Sequence, residues 1–173
     1  KDIIFTESSI GEWNDGRNLS ARLVHDTQNL ILSTVSRFCS AVMVWNFMLD
    51  MKKGPNLDGG CTTCYGAVDI DESDYHTINP NSHFYLINHA SAVVQPGAVR
   101  IGSNSSVNFN GLSYSCFKNP DGTYGVLLVN SGSSSVSVTL GVSGIGYAPV
   151  SIPSGSVVSV LLSKENPTKE FLF

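Results

Sequence analysis

Three short clusters carry residue types suited to a neutral, hydroxyl-rich ligand. Glu7 closes the apolar run Ile3-Ile4-Phe5-Thr6 and precedes Ser8-Ser9-Ile10-Gly11. Trp45-Asn46 closes a second apolar run that starts at Ala41, and Trp13 stands in the loop after the first run. A carboxylate at the end of a buried strand is desolvated at a cost unless it is paired or used. Tryptophan offers a flat apolar face to a sugar ring, and asparagine donates and accepts hydrogen bonds to hydroxyls. Each also has a purely structural reading: a salt-bridged strand-end glutamate, a core tryptophan beside a loop cap, and a loop-anchoring tryptophan.

No other constellation has comparable spacing. His25, His76, His83 and His89 form no metal set; His83 and His89 are placed on different sides of one predicted helix. Asp69, Asp71, Glu72 and Asp74 lack the spacing of a calcium loop and read as a solvated acidic loop. Cys61-Thr62-Thr63-Cys64 has no second pair to complete a zinc site and lies in a Gly-rich loop rather than at a helix start. A local disulfide, inert or free thiols, and metal or redox chemistry stay open for it. No GxSxG, phosphate loop or dinucleotide motif occurs, so neither metal nor cofactor is expected. Asn18-Leu19-Ser20 and Asn104-Ser105-Ser106 match glycosylation acceptors.

The bulk properties agree with a neutral substrate. Charged residues make up 14% of 173, the net charge is −4, and Lys and Arg are scattered, which leaves no electrostatic footprint for nucleic acid or anionic lipid. No apolar stretch reaches the roughly 18 residues of a membrane span. Abundant Ser, Asn and Gly suggest an extracytoplasmic protein: secreted, periplasmic or at the cell surface. The chain opens at Lys1, directly before a strand-like run, and reads as a piece of a longer protein.

Two kinds of pattern divide near Pro96-Gly97. Before it, buried parallel strands alternate with helices: a strand to Thr6, a helix capped by Asn18 with Leu19, Leu23, Leu30, Ile31, Val35 and Phe38 at helical spacing, and a strand over 41–47. A short strand over 66–70 follows, then a helix with Asn79 as cap and Pro80 at its first position. After Pro96-Gly97 the period is two, with Asn119-Pro120-Asp121-Gly122 as a turn between strands, which spells an antiparallel β-sandwich. The predicted division is 1–95, 96–163 and a loosely ordered tail over 164–173.

These residues together resemble glycoside hydrolase family 30, whose members include glucosylceramidases and endo-β-1,6-glucanase-like enzymes. The resemblance runs through Phe5-Thr6-Glu7, Gly11-x-Trp13, Val44-Trp45-Asn46-x-x-Leu49 and Gly54-Pro55-Asn56. It continues through Asn81-Ser82-x-Phe84-Tyr85-Leu86-x-Asn88-His89, Val94-x-Pro96-Gly97-Ala98-x-Arg100-Ile101-Gly102 and Asn119-Pro120-Asp121-Gly122. The order and spacing of these motifs, more than any one of them, carry the likeness over residues 1 to about 163. Two departures stand out: Lys53-Gly54 where the family often has two glycines, and the Cys61–Cys64 loop, which resembles an insertion in bacterial relatives.

The resemblance implies the last two βα units, strands seven and eight, of a TIM (β/α)8 barrel, followed by a β-sandwich that the family builds from both chain ends. It implies a retaining β-glycosidase acting on a β-linked glycan or glycoside, with Glu7 as nucleophile. Trp45, Asn46, Trp13 and Asn56 would border the sugar. The acid/base glutamate would belong to the remainder of the barrel, outside these residues, so the isolated chain is expected to be inactive. The alternatives are a noncatalytic carbohydrate-binding sandwich and a structural interaction fragment.

Overall fold

A computed structural model describes residues 1–106, 108–164 and 169–171. They form two units, Lys1–Ile87 and Asn88–Phe173. In the first, the chain forms β1 (Ile3–Phe5), β2 (Ile10–Gly11), a 3-10 turn (Glu12–Asn14) and α1 (Leu19–Asp26). A π-helical stretch (Thr27–Leu32), α2 (Ser33–Ser36), β3 (Cys39–Val42) and β4 (Met48–Asp50) come next. Then follow β5 (Cys64–Tyr65), β6 (Val68–Ile70), β7 (Ile78–Pro80) and α3 (Ser82–Val93), which carries the chain into the second unit.

Asn18 caps α1 as its sequence position suggests, its side-chain oxygen accepting from Ala21 N at 3.2 Å. β1 and β3 pair in parallel across the intervening helices, a βαβ connection. β4 and β6 are also parallel, with β7 antiparallel on the far side of β6.

Four details differ from the sequence reading. Ile3 and Ile4 were expected in a buried strand, yet are 52% and 47% exposed, because among the described residues β1 has a single neighbour in its sheet. The strand expected over 41–47 pairs only over Cys39–Val42, and the chain resumes strand geometry at Met48. Phe38 does not continue the helical stripe; its φ of 67° ends the helix and leaves the ring exposed. Asn79 and Pro80 belong to β7, where Pro80 pairs with Val68, and α3 starts at Ser82. A proline is tolerated there because β7 is an edge strand.

The second unit is a sandwich of strands. It comprises β8 (Val99–Ile101), β9 (Leu112–Lys118), β10 (Tyr124–Asn130), β11 (Val136–Val142), β12 (Gly146–Ile152), β13 (Ser156–Leu162) and β14 (Lys169–Phe171). One sheet has the order β14-β13-β10-β9-β8, and β11 and β12 form the other. Val126, Leu128, Val158, Val160 and Leu162 of the first pack against Ala148, Val150 and Ile152 of the second. Alternating inward residues on facing sheets thus make the core. β12 escaped the sequence reading because Pro149 interrupts its pattern; among the described residues it is an edge strand paired to β11 alone. A groove of about 790 Å³ opens on this core between β9, β10 and β11. Of the expected loose tail, residues 165–168, 172 and 173 lie outside the described residues, and β14 pairs with β13.

His89, on α3, is fully buried in this unit. Its Nδ1 lies 2.8 Å from Ser159 Oγ, which donates to the His89 carbonyl at 2.9 Å. That hydroxyl has one proton to give, so Nδ1–H is the donor to Ser159. Burial pushes the ring down from 6.5 to about 4. Between these values the unfolded chain binds a proton that the folded one refuses, so stability rises with pH across the window. Acidification from pH 7 to 4.5 is therefore expected to remove up to about 3 kcal/mol through this ring. Urea unfolding at both pH values checks it: His89→Gln should show a markedly smaller loss between the two pH values than the parent chain.

Candidate active site

Glu7 lies just past the end of β1. The strand pairing with β3 lapses there, yet the two segments stay side by side. Met43 N donates to Phe5 O at 2.9 Å, and Trp45 N donates to Ser8 O at 2.7 Å. Ser9 and Trp45 then form an isolated parallel bridge. Glu7 is thus carried between two contacts to the segment that ends in Trp45 and Asn46. Its side chain is exposed, with the Ser9 hydroxyl 3.4 Å from Oε1. Trp45 is 49% exposed. The Trp45–Asn46 peptide is cis, and the half-buried Asn46 accepts from Ala67 N at 2.8 Å through its carbonyl.

Trp13 belongs to a second construction. β2 and β5 pair so that Gly11 faces Cys64, and Glu12 N donates to Thr63 O at 3.0 Å. The indole folds back over Gly11. A β-carbon at Gly11 would lie 2.0 Å from Trp13 Cζ3 and 2.5 Å from Thr63 O. Glycine at 11 is therefore what lets the ring lie down, and its backbone forms the floor under the indole. Cys61 and Cys64 close that loop as a disulfide, with a Cα–Cα distance of 5.7 Å. Cys39 and Cys116 are free.

Asn56 is exposed in the loop between β4 and β5. The turn before it is shaped by Asp50, whose Oδ1 accepts from Gly54 N and whose N donates to Gly54 O, both at 2.7 Å. Next in this turn, Lys53 reaches across to Glu12, Nζ to Oε1 2.5 Å. The structure therefore brings the segments that follow β1 and β3, which carry Glu7 and Trp45-Asn46, side by side. It links the turn of Trp13 to the turn before Asn56 through an ion pair between their neighbours.

The sequence reading missed the network that frames these loops. Asp69 is not in a solvated acidic loop; it is 1% exposed. Its carboxylate accepts from Arg17 Nε at 2.8 Å, Asn81 Nδ2 at 2.8 Å and Gly66 N at 3.2 Å. Arg17 also donates to Met51 O at 2.9 Å and stacks over Tyr65, 4.1 Å from the ring centre. Asp71 and Asp74 do shape a surface turn, and hydrogen bonds from Ser73 and Thr77 hold their carboxyls below the usual range. The signal for Asp69 lay in its neighbours, since Ala67-Val68-Asp69-Ile70 is a buried strand in which a carboxylate demands a partner.

A second buried group is Asp26, ion-paired with Arg22 and 3.6 Å from His83 Nε2. Burial holds His83 below its ordinary value, while Asp26 opposes that effect. Among the described residues, no group of three or more His, Cys, Asp or Glu side chains is arranged to hold a metal ion.

Comparison with known proteins adds a family. Residues 97–164 match the family model of the glycosyl hydrolase family 30 beta sandwich domain. The chain is 28% identical over 120 residues to the endo-1,6-beta-D-glucanase neg1 of Aspergillus fumigatus, covering 67% of this chain and 24% of that protein. It is 30% identical over 124 residues to the putative glucosylceramidase 4 of Caenorhabditis elegans, covering 70% and 21%. Among solved structures, the endo-beta1,6-glucanase BT3312 is 49% identical with a TM-score of 0.87, over 92% of this chain and 35% of that one. SrfJ from Salmonella typhimurium, at 24% identity and TM-score 0.78 over 93% and 35%, shares the fold. The chain spans between 21% and 29% of the length of the curated relatives it matches.

The contact of Trp13 with Gly11 can be tested in the chain itself. In a Trp45→Phe background, Gly11→Ala is expected to lift the indole from its floor. Acrylamide quenching of Trp13 should rise, and stability should fall by about 1–3 kcal/mol from the forced rearrangement. An unchanged quenching constant would place the ring elsewhere.

Proposed function

The chain belongs to glycoside hydrolase family 30, and from that premise we propose that it forms part of a retaining β-glycosidase with Glu7 as its nucleophile. One observation carries the proposal. Glu7 follows a parallel strand, and the backbone on both sides of it is held to the segment that ends in the half-exposed Trp45 and Asn46. A carboxylate at the outlet of parallel strands, beside an aromatic face and an amide, is the arrangement a barrel glycosidase needs.

In this reading residues 1–95 supply barrel strands seven and eight, and residues 96–163 supply sandwich strands. The uncovered apolar side chains of Ile3, Ile4, Met43 and Phe47 support it, since these would face further barrel strands and helices. The groove on the sandwich core is suited to strands from the other chain end. The acid/base carboxyl comes from the rest of the barrel, about 5–5.5 Å from Glu7 when the site is complete. Glu7 then attacks the anomeric carbon, the partner protonates the leaving oxygen, and the same partner deprotonates the water that releases the sugar. Trp45 and Trp13 offer apolar faces to the rings, and Asn46 and Asn56 hydrogen-bond hydroxyls. The substrate proposed is a neutral β-linked glucan; the relatives named for 1,6-linkages make that linkage the first to assay. The Cys61–Cys64 disulfide favours an oxidising, extracytoplasmic setting.

A mechanism-based 2-fluoro-glucoside incubated with the full-length protein should label Glu7, read by peptide mass spectrometry. Glu7→Gln in the same protein is expected to lower kcat by about a thousandfold or more while leaving the fold intact. A label on another residue, or near-normal turnover by the variant, would remove Glu7 from this role.

A further inference from the structure

Lys53 holds its backbone in the left-handed region, at φ 74°. A β-carbon there crowds the following carbonyl, whereas glycine enters freely. A residue persists in such a conformation where its surroundings hold it there. The turn is built to hold it: Lys53 N donates to Asp50 O at 2.9 Å, and the Asp50 carboxylate accepts from Gly54 N. The side chain is about three-quarters covered and ends on Glu12, whereas that of neighbouring Lys52 is 80% exposed and pairs with Glu72. Glu12 immediately precedes Trp13, and its N–H is already bound to Thr63 within the disulfide loop. The Trp13 turn thus has two tethers, one to the backbone of the disulfide loop and one to the ammonium of Lys53.

We propose that Lys53 is a positioning residue for glycan recognition. Its ion pair with Glu12 locks the Trp13 turn to the turn that leads into Asn56, so that the indole face and the Asn56 amide meet one glucan chain at a set separation. The proposal deepens the glycosidase reading and rests on it for the ligand, a neutral β-linked glucan. Half-exposed ion pairs add little to global stability. Loss of this one should therefore appear in substrate capture, as a higher KM, rather than in folding or in kcat.

The test uses the full-length protein with Lys53→Glu, Glu12→Lys, the double charge swap, and Lys53→Gly, which keeps the turn without strain. On β-1,6-gluco-oligosaccharides each single variant is expected to raise KM about fivefold or more with kcat within about twofold, and the swap to restore most of that loss. Hydrogen–deuterium exchange over residues 11–14 should speed up in the single variants and slow again in the swap. Unchanged exchange in the single variants overturns the tether. Altered exchange with unchanged KM, or a swap that restores exchange without restoring KM, overturns its role in recognition. A wild-type protein that cleaves no β-glucan sinks the glycosidase reading and the ligand named here; the exchange measurement still separates that failure from failure of the tether.

Discussion

The buried carboxylate of Asp69 is the constraint around which the first unit is arranged. Left alone, a charge at 1% exposure would be intolerable; here it is met by the Arg17 guanidinium, the Asn81 amide and the Gly66 N–H. Each partner sits on a different piece of chain. Arg17 stands at the foot of the Trp13 loop and also grips the Met51 carbonyl, where the loop to Asn56 begins. Asn81 stands one residue before α3, and its second contact is to the Gly66 carbonyl at 2.9 Å. Removing one partner of such a buried pair typically costs about 3 kcal/mol or more, since the other is left uncompensated. The loops that border the candidate site are therefore fixed from beneath by a polar knot.

Above that knot, contacts become shorter in range and closer to the surface. The Gly11–Trp13 contact and the disulfide loop shape one wall, and the Asp50-centred turn shapes the next. Under the proposed glycan reading, fixed aromatic faces would contribute more than charge, because stacking and hydroxyl bonding reward placement. The open exposure of Glu7 and Trp45 belongs to the same picture: among the described residues, the strands that precede them, β1 and β3, pair with each other alone.

The sandwich unit is organised differently. Its core is apolar, and its polar groups serve connections. Asn119 shows the device: its side chain donates to Val93 O at 3.0 Å and accepts from Gln95 N at 3.1 Å, so the β9–β10 turn holds the end of α3. Gly125 allows this approach, since a β-carbon there would meet the Val93 carbonyl at 2.0 Å. Asn130, fully buried, ties β10 to the β12–β13 turn through bonds to the carbonyls of Ile152 and Pro153 at 3.1 and 3.0 Å.

Read alone, the amino-acid order already determined the alternation of strand and helix before Pro96, the period of two after it, the Asn18 cap and the Asn119–Gly122 turn. Each depends on contacts within a few residues, where residue type and spacing settle the outcome. It also put Glu7 just past the end of the first strand, but it ran the second strand on to Phe47, whereas β3 ends at Val42 and Trp45 is held by an isolated bridge to Ser9. Tertiary structure alone decided the rest. Whether Ile3 and Ile4 are covered depends on neighbouring strands, which no local pattern encodes. That Asp69 is buried while Asp71 and Asp74 are solvated depends on Arg17, which lies 52 positions away. The reach of Lys53 to Glu12, 41 positions away, follows from how two loops meet. Long-range pairing of this kind is set by the whole fold's balance of burial and satisfied charge, and a one-dimensional pattern carries no record of it.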